Sequence, residues 1–203
     1  MKKVLCFLLA ALLVLTCAAC EKDPYPNRSV SVPAEWPRYR VAPFTYQFEA
    51  GFSEADEEGL NTALLYALTQ LAGQEKMSPL AYLESPARDI GTHDYLYIAC
   101  CETVTPFTEE ELLSLADEIN NMDLTLSEGQ LEAILESSAS MARYGSLHAL
   151  TFSLKLKHGE VSCCMQFALF ARGNMLYQIV YSDFTAAEDN DYPEKLLSSI
   201  RFK

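Results

Sequence analysis

Few residues in this chain have the types and spacing that chemistry needs. The three histidines, His93, His148 and His158, have no second His or Cys at metal-ligand spacing. His158 precedes Gly159 in a turn and His148 opens a strand, so neither reads as catalytic. No Gly-x-Ser-x-Gly, phosphate loop or zinc-protease helix is present. Asp183, Glu188, Asp189 and Asp191 crowd one loop. An EF-hand counted from Asp189 needs Gly where Glu194 stands and Glu where Arg201 stands, so that reading fails. A solvated loop with Asp191 as a helix cap is the plain alternative to an irregular cation site, and the spacing leaves both open. The expectation is no catalytic residue, no metal ligand and no cofactor.

The cysteines are more suggestive. Seven are present, three of them within the first twenty residues. The other four form two adjacent pairs, Cys100-Cys101 and Cys163-Cys164. Neighbours in a strand point to opposite faces, and neither pair has redox Cys-x-x-Cys spacing. Exported proteins can form disulfides. The strand holding Cys163 already has a neighbour on each side, which keeps the strand holding Cys100 away from it. The expectation is four reduced, packed thiols.

Cys20 carries the one assignable reaction. Lys2 and Lys3 open the chain, and an apolar run follows from Val4 to Ala19. That run is shorter than the about 20 residues a spanning helix needs, and it has the layout of a secretory signal. Its end, Ala18-Ala19-Cys20, resembles a bacterial lipobox, although Cys17 stands where Leu is usual. The resemblance implies that Cys20 receives a diacylglycerol thioether and becomes the mature N-terminus. A thiolate is the nucleophile such a bond requires. The expected organisation is a lipoprotein signal peptide over 1–19, a lipidated Pro-rich tether over 20–40 and one domain over 41–203. Trp36 and Tyr39 would dock the end of the tether.

The formal net charge is −13, and the leader holds two basic residues and no acidic one. Such a balance argues against nucleic acid and against electrostatic adhesion to anionic lipid. A solvated acidic surface accounts for it.

The elements that must position anything lie mostly in the second half. Leu147–Lys157, Val161–Arg172 and Met175–Asp183 read as three strands joined by breaks at His158-Gly159 and Gly173-Asn174. Two-residue turns would set Lys157 opposite Glu160 and Arg172 opposite Met175. One face would then carry Leu150, Phe152, Leu154, Cys163, Met165, Phe167 and Val180, and must be covered. The other is polar at one end and apolar at the other, with Phe170, Tyr177, Ile179 and Tyr181. Those aromatics are either core under a helix from Ser53 or an exposed docking patch. Upstream, Val41–Phe52 reads as a first strand alternating Phe44, Tyr46 and Phe48. Ser53 caps an amphipathic helix ending at Gly73. Ser78-Pro79 opens a short helical turn to Glu84, and Tyr95–Val104 is a strand. Thr108 and Glu111 form a capping box for a helix to Asn120. Ser127 caps another helix with Leu131, Ile134 and Leu135 inward. The stretch 137–145 is unassigned. Asp191 and Glu194 form a second capping box, for a helix over Tyr192–Ser199.

The run Gly173-Asn174-Met175-Leu176-Tyr177-Gln178-Ile179-Val180-Tyr181, the acidic loop, Tyr192 and the ending Leu197-Ser198-Ser199-Ile200-Arg201-Phe202 together resemble the C-terminal half of PsbP-like domains. That family includes an extrinsic photosystem II subunit, envelope lipoproteins and a Ran-binding relative. The resemblance covers roughly residues 95–203. It implies an antiparallel sheet between helices, used to dock partners. The expected fold class is α+β: an antiparallel β-sheet with a C-terminal three-strand meander and helices packed on both faces, one face partly. The expected function is a membrane-anchored, extracytoplasmic lipoprotein on the cell membrane, a non-catalytic binding or scaffolding module of the cell envelope. Its partners would be the membrane, through the N-terminal lipid, and an envelope protein, with no nucleic acid. A small-molecule carrier is the alternative, with an envelope enzyme behind it.

Overall fold

A computed structural model describes residues 23–54, 77–86, 94–122, 131–158, 161–184 and 191–203. The expected leader, Cys20, most of the helix expected after Ser53, His93, Ser127, Glu188 and Asp189 lie outside the described residues.

The meander organises the rest. Strands β7 (Leu147–His158), β8 (Val161–Arg172) and β9 (Met175–Asp183) are sequential antiparallel neighbours. The second hairpin has the expected register, with Arg172 opposite Met175 and Phe167 opposite Val180. Gly173 takes φ 59° at its turn, a conformation glycine adopts without a Cβ penalty. The first hairpin differs: Lys157 faces Ser162, and Phe152 faces Phe167 instead of Met165. In this register the Phe152 and Phe167 rings stack, 4.6 Å between centroids. The offset is an even number of residues, so every side chain keeps its expected face.

The other strands add on both sides. Strand β5 (Tyr95–Glu102) pairs with β9, β4 (Ser78–Glu84) with β5, and β3 (Ser53–Glu54) with β4. Strand β6 (Leu131–Tyr144) pairs with β7. The order is β3-β4-β5-β9-β8-β7-β6, antiparallel throughout. Two expected helical pieces are therefore strands, at Ser78–Glu84 and over Leu131–Leu135, and Ser53 is in a strand as well. Ile134, expected inward, is half exposed. Bulges between Leu135 and Ser140 break the two-residue period of β6, which hides a strand from periodicity.

Helix α1 (Glu109–Asn121) begins at the expected capping box, with Thr108 and Glu111 bonded reciprocally. It covers one sheet face, packing Leu112, Ala116 and Ile119 over Leu150, Phe167 and Val180. The opposite face overturns the expectation of helices on both sides. A second antiparallel sheet lies there, of β1 (Arg38–Val41), β2 (Phe44–Gln47) and β10 (Arg201–Phe202), in the order β1-β2-β10. Helix α2 (Tyr192–Ser199) flanks it, tied to β2 by a Gln47 N–H to Ser199 Oγ bond of 2.7 Å. The protein is thus mostly β, two antiparallel sheets with α1 outside the larger. The physical reason lies in Phe44, Tyr46 and Phe48. Their alternation gives a short strand one fully buried face, against Phe170, Tyr177 and Tyr181. Tyr177 and Tyr181 are 2% and 3% exposed, so this patch is core and not a docking surface. The Asp191 side chain makes no capping bond; it pairs with Lys195 at 2.7 Å.

The stretch expected as a tether is bonded to the domain from Asp23 onward. Arg28 N–H donates to Arg143 O and Arg143 N–H to Pro26 O, each 2.9 Å, so this segment runs beside the end of β6. Val30 N–H reaches Ser198 Oγ at 3.0 Å, and Trp36 is buried on Phe48 and Tyr192. An edge strand presents unpaired backbone groups, and a Pro-rich extended segment can cover them because its carbonyls still accept.

Candidate functional site

A polar cluster sits where the β6–β7 turn meets the start of α1. Arg143 and His148 are opposite each other across that turn. Asp23 Oδ2 accepts from His148 Nε2 at 2.9 Å and is ion-paired with the Arg143 guanidinium, Nε at 3.1 Å without a hydrogen bond. His148 Nδ1 lies 2.5 Å from Glu109 Oε1. Asp23 Oδ1 takes the Tyr25 N–H at 3.0 Å, and the Tyr25 ring meets the imidazole edge-on at 5.2 Å. The capping box holds Glu109 in the first turn of α1.

Both imidazole nitrogens thus face carboxylates, and only the protonated ring donates at both. Partial burial pulls the His148 pKa down, but the hydrogen bonds to Glu109 and Asp23 and their charges outweigh it, and the net shift is upward. The Asp23 pKa is lowered, by the Tyr25 N–H first and then by the His148 bond. Burial raises the Tyr25 phenol, and the charge of Glu109 adds to that. A general base needs one nitrogen open to its substrate. Here each nitrogen is bonded within the chain, and the chemistry available is that of a clamp holding the N-terminal segment, β7 and α1 together.

Beside the clamp is a cleft of about 570 Å³ that shares Glu109 and His148. Phe107, Leu112, Leu147 and Phe202 give it apolar walls, and Arg172 and Arg201 give it charge. Phe107 N–H donates to Gly173 O at 3.2 Å, tying that wall to the β8–β9 turn. The Arg172 guanidinium lies 4.1 Å from the Phe202 ring centroid. Arg201 Nη1 donates to Ser198 O at 2.9 Å and to Ile200 O at 2.6 Å.

The acidic loop and the thiols lie elsewhere. Asp183 is buried, opposite Cys164, while Asp191 is exposed with Lys195. Among the described residues no group of three or more His, Cys, Asp or Glu is placed to hold a metal ion. His158 ends β7, about 33 Å along the strand from His148. Cys101 faces Leu176 and Cys164 faces Asp183, about 23 Å apart along β9, too far for a bridge. All four thiols are free. Burial pushes Cys163 up to about 11, and burial together with the Glu136 bond pushes Cys164 up to about 12, far from thiolate chemistry.

Asp23, Glu109, Arg143, Arg172 and Arg201 escaped the sequence reading as site residues. One signal was present: Gly145-Ser146 between two strand-like stretches is a hairpin turn, which sets Arg143 against His148.

No family model matches the chain, and no curated protein is similar to it in sequence. Solved structures do share the fold. The solution structure of cyanobacterial PsbP (CyanoP) from Synechocystis sp. PCC 6803 matches with a TM-score of 0.55 at 13% identity, over 86% of this chain and 98% of that one. A crystal structure from Bacteroides thetaiotaomicron VPI-5482 matches with a TM-score of 0.51 at 10% identity. It covers 83% of this chain and 49% of that one, so the chain spans about half the length of that protein. At these identities the likeness is one of fold, and the fold is PsbP-like.

Proposed function

We propose that this chain is a lipid-anchored, extracytoplasmic binding module of the cell envelope, acting without a catalytic centre. The observation that carries the reading is the Ala18-Ala19-Cys20 end of a short apolar leader, followed three residues later by Asp23 fixed on the folded domain. A diacylglycerol on Cys20 holds the domain at the membrane. The closed bonding of His148, among the described residues the histidine placed in this polar cluster, favours a structural role for it. The small-molecule form of the reading is favoured by the cleft between α1 and β10. The test is fractionation and mass spectrometry of the chain and its Cys20→Ala variant in cells. The expected result is an acylated protein in the membrane fraction, and an unprocessed or released variant. An unacylated native chain, or unchanged acylation in Cys20→Ala, overturns the anchor.

A further inference from the structure

We propose that the cleft lined by Arg172, Arg201, Phe107, Leu112 and Leu147 binds a small organic anion with an apolar body. The proposal deepens the binding-module reading and rests on it. Its first support is charge. The chain as a whole stands at −13, yet this cleft presents two guanidinium groups and a single carboxylate, that of Glu109. Glu109 is already bonded to His148. Among the described residues neither arginine has a carboxylate within ion-pair distance. In an acidic protein, cations left without acids at a concave site suit an acid brought by a ligand.

The second support is preorganisation. Arg172 is held by its contact with the Phe202 ring, and among the described residues its N–H groups make no hydrogen bond, which leaves them to meet an oxyanion. Arg201 is held by two carbonyls on one nitrogen, Nη1, which leaves Nε and Nη2 as donors. Side chains fixed in advance cost a ligand less ordering. The third is size and lining. A cleft of about 570 Å³ with apolar walls and a few polar groups fits one small molecule. A carboxylate or phosphomonoester head sits on the arginines, and a ring or short chain lies against Phe107, Leu112 and Leu147.

The test titrates the full lipidated chain in phosphatidylcholine nanodiscs with three probes. Phenyl phosphate has head and body, inorganic phosphate has only the head, and benzyl alcohol has only the body. Phenyl phosphate should bind at least about tenfold more tightly than either of the others. Arg172→Gln and Arg201→Gln should each weaken it by about tenfold, and added salt should weaken it further. Shifted NMR resonances in the unmutated protein should centre on Leu147, Arg172, Arg201 and Phe202, a readout that needs no variant to fold. Saturable binding absent up to about 10 mM overturns the proposal. So does equal affinity for benzyl alcohol, or shifts centred elsewhere. Phenyl phosphate should be recovered intact. Its hydrolysis would leave the anion site standing and overturn the non-catalytic reading, and the Cys20→Ala fractionation reads the anchor independently of both.

Discussion

His148 is the residue whose ionisation this structure uses. Its folded pKa is raised, so its contribution to stability is fully present below the unfolded value of about 6.5 and is lost as pH rises through the folded value. Asp23 works the opposite limb. Its folded pKa is lowered, so its contribution is present above about 3.9 and is lost as pH falls. Between those limits the clamp holds the N-terminal segment to β6 and β7. Urea unfolding of the native chain and of His148→Gln checks this. The native chain should exceed the variant by more at about pH 5 than at about pH 8.5, and an equal margin at both would remove His148 from the linkage. The clamp was poorly legible in the sequence for a physical reason. Asp23 and His148 are 125 residues apart, and such a contact leaves no local period. The Arg143–His148 pair was readable in principle, because a two-residue turn fixes it.

Elements were legible where their own periodicity agreed with their packing. The meander and α1 with its box are of this kind: Leu150, Phe152 and Leu154 alternate, and Leu112, Ala116 and Ile119 recur at helical spacing, whereas α2 was read from an Asp191–Glu194 box whose Asp191 bond is not made. Strand β6 was not, because its bulges mix the two periods and its pairing with β7 decides the outcome. Strand β2 was read in the alternation of Phe44, Tyr46 and Phe48, but β1 was hidden differently. Five prolines over 24–43 suggest extended, unpaired chain, yet an extended chain is also what a short edge sheet needs. The energetic centre of that sheet is Phe44, wholly buried and in edge contact with Phe170, Tyr177 and Phe202. Phe44→Ala should cost about 3–5 kcal/mol in equilibrium unfolding. It should also uncover Tyr177, seen as iodination of a phenol that is protected in the native chain. A loss within about 0.5 kcal/mol would mean that the small sheet does not cover the core.

At the scale of the whole molecule, the docked N-terminal segment determines how an anchored domain would stand. Asp23 stands three residue steps after Cys20, and a fully extended chain of that length reaches at most about 11 Å. Asp23 is held on His148 at the Leu147 end of β7, the end that also holds the cleft. A lipid on Cys20 therefore keeps this end within a short reach of the bilayer surface. The opposite end of β7, at Lys157, lies about 33 Å further along the strand. The acidic balance of the chain opposes its lying flat on anionic lipid, because repulsion acts over a screening length of about 8 Å. The expected posture is upright, with the cleft toward the membrane. Fluorophores placed singly at Ser146 and at Lys157 in the lipidated protein, on vesicles containing phosphatidylglycerol and a headgroup quencher, read this directly. Ser146 should be strongly quenched and Lys157 hardly at all. Asp23→Asn combined with His148→Gln removes the clamp, lengthens the free tether and should reduce the difference. Equal quenching at both positions in the native chain would mean that the N-terminal segment does not orient the domain.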